Sequence, residues 1–235
     1  MNDQGMATQG GSKRKYVRLK ATNDPDETRA DILAVAQEQF ARHGYAGTTI
    51  DSIAAKTKRS KRMIYYYFSS KPKLYKAVLE NAYRGIRVAE ESIRLDEDDP
   101  RQSIKNLVEF CFDYHFERPS FVKMVMGENL NDARFVSASD EIKNLHFPLT
   151  QRIEKCLRKG YENGYFGRTC TAVEMHMTIT ALSFFNVSNQ ATFSAIFDID
   201  MKSPAVCRAR KQEILLAVLG RLDTKLDDGF STEYR

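Results

Sequence analysis

The segment from Thr48 to Phe68 (TTIDSIAAKTKRSKRMIYYYF) restricts this chain to few folds. It reads as two short helices joined by a tight basic turn. Thr48 or Thr49 is the expected N-cap of the first, with Asp51 as a capping-box-like partner three residues after Thr48. Ile50, Ile53 and Ala54 make its apolar face. Ser60 caps the second helix, which presents Lys61, Arg62 and Tyr65 near its N-terminal end and keeps Ile64 and Phe68, four residues apart, for packing. Cations and hydroxyls on one side and aliphatics on the other suit a helix laid in the major groove of DNA.

The remaining periodicity is helical throughout. Thr28 with Asp31 predicts a helix start, Ile32, Val35, Ala36 and Phe40 give an apolar stripe, and Gly44 suits a left-handed C-cap. Ser69 or Ser70, with Pro72 in the first turn, opens a helix expected to run to about Leu95, roughly 35 Å. Past the acidic breaker 96–100, helices are expected at about 101–117, 119–131, 138–163, 171–190 and 204–223. Pro119, Gly164, Gly167 and Pro204 divide them, and 191–202 is either a turn or continued helix. No alternating strand and no internal repeat is evident.

Charge separates the two ends. Residues 12–75 hold 14 lysines and arginines against 6 acidic residues, a net +8, whereas the total of +5 leaves −3 for the rest. A polyanion partner for one end follows. Residues 1–11 are polar and aperiodic and 12–20 add a basic arm, a candidate for the minor groove or the backbone's field and equally a plain tail. No run of eighteen apolar residues and no apolar leader occurs, so a cytoplasmic protein is expected. Cys111, Cys156, Cys170 and Cys207 stand far apart, without metal-site spacing, so no metal and no cofactor is expected.

Phe40, Gly44-Tyr45, Thr48-Thr49, Ile53-Ala54, Ser60, the run Ile64 to Phe68, and Lys71 with Leu74 together resemble the tetracycline-repressor-type (TetR) family of transcriptional regulators. The resemblance is strong over about 28–79 and looser beyond. The turn departs from the family's Ala-Gly-Val-Ser: Lys58 stands at the usual glycine and Arg59 follows. A lysine there costs on the order of 1 kcal/mol if the position needs positive φ. The resemblance implies an all-α protein: a flexible basic arm (1–24), a three-helix helix-turn-helix DNA-binding domain (25–70), and a larger C-terminal helical bundle (71–235) for ligand binding and dimerisation.

Under that implication, Lys61, Arg62 and Tyr65 read bases, while Thr48, Thr49, Tyr66, Tyr67 and Lys71, joined by Lys58 and Arg59, hold phosphates. A palindromic double-stranded operator needs a homodimer, for which Leu182, Phe185, Ile214, Leu215, Val218 and Leu222 are the candidates, with burial in their own chain as the competing reading. A small-molecule effector is implied between helices rich in Phe and Met. Candidate contacts are Phe110, Tyr114, Phe121, Asn129, Phe147, Met177 and Phe184, with His115, Glu128, His146, His176, Asn186 and Asn189 as further polar candidates.

Segments 117–130 and 182–197 resemble family members that govern breakdown of aromatic acids or small nitrogen heterocycles, which suggests such an effector. The implied function is repression relieved by the effector. Two other classes compete. One is a helical adaptor or sensor without operator binding, which the atypical turn would permit. The other is an enzyme using His115, His146 or His176 with Cys111 or Cys156, against which stands the absence of any recognisable nucleophile, metal or phosphate-loop motif.

Overall fold

The computed structural model describes residues 24–225 except Lys58 and His146, and for Phe147 the backbone alone. The basic arm, the departure at Lys58, and the expectations for His146 and the Phe147 side chain therefore lie outside the described residues. Within them the chain forms eleven α-helices and no strand.

Local chemistry explains most boundaries. Helix α1 (Pro25–Gly47) starts one turn before the expected Thr28, because the Asp24 side chain accepts from the Asp26 amide at 2.9 Å and Pro25 occupies the first turn. Gly44 breaks its helical geometry at φ 68°, the left-handed region that favours glycine. Helix α2 (Ile50–Thr57) is capped by Thr49. Its reciprocal partner is Ser52, not Asp51: Thr49 Oγ1 accepts from Ser52 N, and Ser52 Oγ accepts from Thr49 N. Helix α3 (Lys61–Phe68) begins at Ser60, whose hydroxyl accepts from Met63 N at 3.2 Å.

Helix α4 (Lys71–Glu90) opens at Ser70 and stops five residues short of Leu95. Arg152 donates to the Glu90 carbonyl at the end of α4 and to the Ile93 carbonyl just beyond it. The chain after it is fastened to helix α5 (Pro100–Glu117) by Ser103, which exchanges hydrogen bonds with Asp96 N and O. Helix α6 (Pro119–Asn129) follows after a single residue. The expected helix over 138–163 is two: α7 (Asp140–Asn144), capped by Ser139, and α8 (Phe147–Glu162), with Pro148 in its first turn. Helix α9 (Ala172–Ser188) carries a full capping box from Thr171 and Glu174. Residues 191–202 hold a helix, α10 (Gln190–Phe197), ended by Asp198 in the left-handed region, before α11 (Pro204–Asp223).

Two main cores result. Around Ile32, Phe40, Ile53, Ile64, Phe68 and Leu74, helices α1 to α4 close over one another. Leu107, Phe112, Ile153, Met175, Ile214 and Val218 fill the second, between α5, α8, α9 and α11. Helix α4 serves both ends, since Leu74, Val78 and Leu79 belong to the first core and Ala82 packs with Tyr114 and Phe121. Helix α6 also bridges: Met124 enters the N-terminal core, Gln37 of α1 donates to Ser120, and Phe121 faces the bundle.

The apolar stripe of α11 is a correction to the sequence reading. Ile214, Val218 and Leu222 are buried in their own chain's core, with Leu182 and Leu215 packed partly against it. A four-residue repeat marks a buried face without saying which neighbour buries it. Phe185 is exposed, and the outward apolar residues of α9 and α11 are Val173, Met177 and Leu216.

Candidate functional site

Two sets of side chains stand out, on α3 and in the bundle. Ile64 and Phe68 anchor α3 in the core, which turns the opposite face outward. On that face Tyr65 is 43% and Tyr66 77% exposed, unusual for aromatic side chains. Tyr67 is half-buried, edge-on to Tyr66 at 5.2 Å between centroids. Arg62 is exposed and has no carboxylate partner among the described residues.

Three other described cations near this face are engaged. Lys61 Nζ lies 3.0 Å from the Asp51 carboxylate, and that hydrogen bond, with its charge, raises the lysine pKa. Arg59 pairs with Asp31 at 3.6 Å. Lys71 sits 4.6 Å over the Tyr45 ring and donates to the Ala46 carbonyl. These contacts are exposed or half-exposed, so water screens them and they contribute little. Exchange onto a polyanion is therefore cheap. Thr48 differs: its side chain is buried, and its hydroxyl donates to the Gln39 and Gly44 carbonyls. It fastens the end of α1 and is withdrawn from the set of phosphate-holding hydroxyls, whereas Thr49 remains exposed.

In the bundle, a cavity of about 150 Å³ lies between α4, α5, α6 and α9. Of the expected contacts, Phe121 and Phe184 line it. Tyr114 and Phe110 form the layer behind Phe121, with the Tyr114 ring 5.8 Å edge-on to Phe121 and Phe110 stacked on Tyr114. Asn129 and Met177 do not reach it. The Asn129 amide returns to the Val125 carbonyl and Met177 is exposed, because each falls on the outward side of its helix. Glu128 lies outside the lining, its Oε2 accepting from the amides of Phe135 and Val136, and the Asn189 amide donates to Ser188. Asn186 is buried without a partner among the described residues and is not part of the lining.

His115 and His176 do line the cavity, and the sequence reading missed Tyr83, Arg87 and Glu90 of α4 altogether. Arg87 Nη1 contacts both carboxylate oxygens of Glu90 at 2.6 Å. The pair also forms part of the wall of a second cavity of about 200 Å³, toward Arg152 and Leu145. Burial raises the Glu90 pKa against the pull of Arg87. Burial, and then His176, pushes His115 down to about 4, and burial lowers His176 too. Both imidazoles are therefore neutral near pH 7. Cys111 also faces the cavity, its thiol pushed up to about 12 by burial, and Cys156 is pushed up to about 11. Such thiols yield little thiolate, the reactive form.

Comparison with known proteins agrees with both halves. Residues 32–78 match the family described as "Bacterial regulatory proteins, tetR family", and residues 100–218 match the "Tetracyclin repressor-like, C-terminal domain". The chain belongs to the TetR family. Among curated relatives of this TetR regulator, the HTH-type transcriptional repressor NicS of Pseudomonas putida is 34% identical, over 75% of this chain and 83% of that protein. The HTH-type transcriptional repressor SCO4008 of Streptomyces coelicolor is 28% identical over 69% and 80%. Among solved structures, the putative transcriptional regulator SCO4942 from Streptomyces coelicolor superposes with a TM-score of 0.60 at 25% identity, covering 83% of this chain and 97% of that one.

The TetR regulator is thus all-α, with an N-terminal helix-turn-helix unit and a C-terminal helical domain, and it is a DNA-binding transcriptional regulator. Among the described residues, no group of three or more His, Cys, Asp or Glu is placed to hold a metal ion, and no helix is long and apolar enough to cross a membrane.

Proposed function

We propose that this TetR regulator represses transcription by holding a palindromic operator as a homodimer in the cytoplasm, and that a small effector in the α4–α5–α6–α9 cavity releases it. The exposed face of α3 carries the reading: Arg62, Tyr65 and Tyr66 point away from the core on a helix whose other side is locked into it. Lys61, Arg62 and Tyr65 are the base readers. Thr49, Arg59, Tyr66, Tyr67 and Lys71 hold phosphates, joined by Lys58 in the turn. Residues 25–70 form the reading head, residues 71–235 the sensor, and residues 1–24 the basic arm.

Val173, Met177 and Leu216 replace the α11 core residues as candidates for the dimer face, since they are large, apolar and outward on two helices that pack together. The aromatic walls favour an aromatic acid or a nitrogen heterocycle as effector. Helix α4 carries head core residues at one end and cavity residues at the other, so a shift of the cavity wall moves the head. A coupling of about 1–3 kcal/mol is typical for such switches.

The test is operator binding by the double variant Lys61→Glu/Arg62→Glu, with operators selected from random DNA. Complex formation is lost while the dimer persists in sedimentation, and wild-type binding weakens steeply with salt through counterion release. Unchanged affinity in the variant defeats the DNA assignment. Wild-type affinity near the non-specific level of about 10⁻⁴ to 10⁻⁶ M on every sequence favours the adaptor reading.

A further inference from the structure

The interior of the α4–α5–α6–α9 cavity narrows the effector further than aromatic walls alone. A cavity of about 150 Å³ matches the volume that holds a benzene ring, about half the lower limit for drug-sized ligands. It has room for one six-membered ring and not for two. The ring has apolar surfaces to meet: Phe121 and Phe184 flank His115, whose imidazole lies parallel to Phe121 at 6.3 Å and edge-on to Phe184 at 5.6 Å between centroids.

The polar atoms fix what the ring carries. His115 is 3% exposed and its Nδ1 has no hydrogen-bond partner among the described residues. The same holds for the buried Nε–H of Arg87, a group that only donates. The carboxylate of Glu90 is already held by Arg87 Nη1. What is missing is an acceptor for Arg87 Nε and a partner for His115 Nδ1.

Resting on the effector reading above, we infer that the cavity takes a single-ring aromatic carboxylate, whose negative charge is balanced by a proton that His115 picks up from solvent as the ligand binds. Within the lining itself the charges of Arg87 and Glu90 cancel, so an anion entering alone would leave an uncompensated buried charge. Two neutral imidazoles supply the remedy. Burial is the main reason that the His115 imidazole is neutral, and an adjacent carboxylate favours the imidazolium.

The charged and titratable groups around His115 on the packed elements are consistent with this assignment. Helix α4 contributes Tyr83, Arg87 and Glu90. Helix α5 contributes Cys111 and Tyr114, with Arg118 over the Tyr114 ring at 4.4 Å, and α9 contributes His176. Glu128 of α6 acts on Tyr83, and Arg152 of α8 lies on the far side of Glu90. Tyr83 and Tyr114 have raised pKa values and Cys111 is pushed up to about 12, so none of these three gains or loses a proton near neutrality. His176 and Glu90 are the competing proton acceptors.

Isothermal titration of the full chain with benzoate and with benzamide, repeated in buffers of different ionisation enthalpy, reads the outcome directly. Benzoate binds at least about tenfold more tightly than benzamide at pH 6.5, with uptake approaching one proton, and its affinity falls with rising pH toward tenfold per pH unit. His115→Gln removes the uptake and His176→Gln keeps it. Both variants are checked for a native thermal transition, and the less buried His176 serves as the folding control.

Benzamide binding as tightly as benzoate, uptake near zero, or no benzoate binding at millimolar concentration overturns the inference. Uptake that survives in His115→Gln overturns it too, since the proton then resides on the ligand, Glu90 or His176. Operator binding is measured on the same samples. Benzoate bound with proton uptake but without operator release leaves the site assignment standing and defeats the effector reading instead.

Discussion

The exposed face of α3 and the α4–α5–α6–α9 cavity hold similar side chains under opposite conditions. On α3 the cations are exposed, and their partners Asp51 and Asp31 are exposed or half-exposed with them. In the cavity Glu90 is almost wholly buried, Arg87 is one-fifth exposed, and His115 Nδ1 lacks a hydrogen-bond partner among the described residues. Water screens the first set, so its pairs rearrange at little cost and the polyanion decides where the cations go. The second set is desolvated, so any added charge has to be compensated on the spot.

Charge reversal at Lys61 and Arg62 is the strongest way to break the contrast. Two lost base contacts at about 1–3 kcal/mol each lower operator affinity roughly a hundredfold or more in a gel-shift titration. Next comes the bundle. Ile214→Ala costs about 2–5 kcal/mol of stability through its cavity, read as a drop in Tm. Leu216→Ala stays within about 0.5 kcal/mol for the folded chain, while Val173→Glu with Leu216→Glu shifts sedimentation toward monomer. A large Tm loss from Leu216→Ala together with an unchanged dimer in the glutamate variant would reverse the assignment of the two faces of α11.

Acid comes third. In the fold His115 titrates at about 4 instead of 6.5, so between those values the unfolded chain binds a proton that the folded one refuses. Stability is therefore full above about pH 6.5, declines as pH falls to about 4, and loses at most about 3 kcal/mol to this residue. Chemical denaturation of His115→Phe across that window shows a flatter profile, and an unchanged slope removes His115 as the cause. The smallest effect is at Asp51. Asp51→Asn frees Lys61 and raises operator affinity by a few-fold at most, with the gain shrinking as salt increases.

Much of the head was legible because its signals are local. Ser60 as a cap, Ser70 with Pro72 after it, Gly44 at positive φ, and Ile64 with Phe68 facing inward all depend on neighbours within four residues. The errors there are short shifts, such as Ser52 in place of Asp51 at the α2 cap, and Asp24 in place of Thr28 at the start of α1. The hidden facts are longer in range. Asp51 turns across the motif to Lys61, and Thr48 turns back to Gln39.

The cavity was half legible. Phe121, Phe184, His115 and His176 were reached by type, because aromatics and histidines in a helical bundle are natural wall residues. Arg87 and Glu90, three residues apart on α4, were missed because that spacing is shared by pairs on any solvated helix face and carries no signal of burial. Asn129 and Met177 failed because residue type does not tell which side of a helix meets a void.

Capping, periodicity and charge act over a few residues, so the chain alone yields an all-α fold and a helix-turn-helix with basic outward residues, while the motif residues between Phe40 and Leu74 carry the resemblance to the family. Only the tertiary structure decided that α11 turns Ile214, Val218 and Leu222 inward, that Lys61 rests on Asp51, and that Arg87, Glu90 and His115 share one desolvated space. The physical reason is that burial belongs to the packing of several helices together, and burial is what converts ordinary charged and titratable side chains into a site.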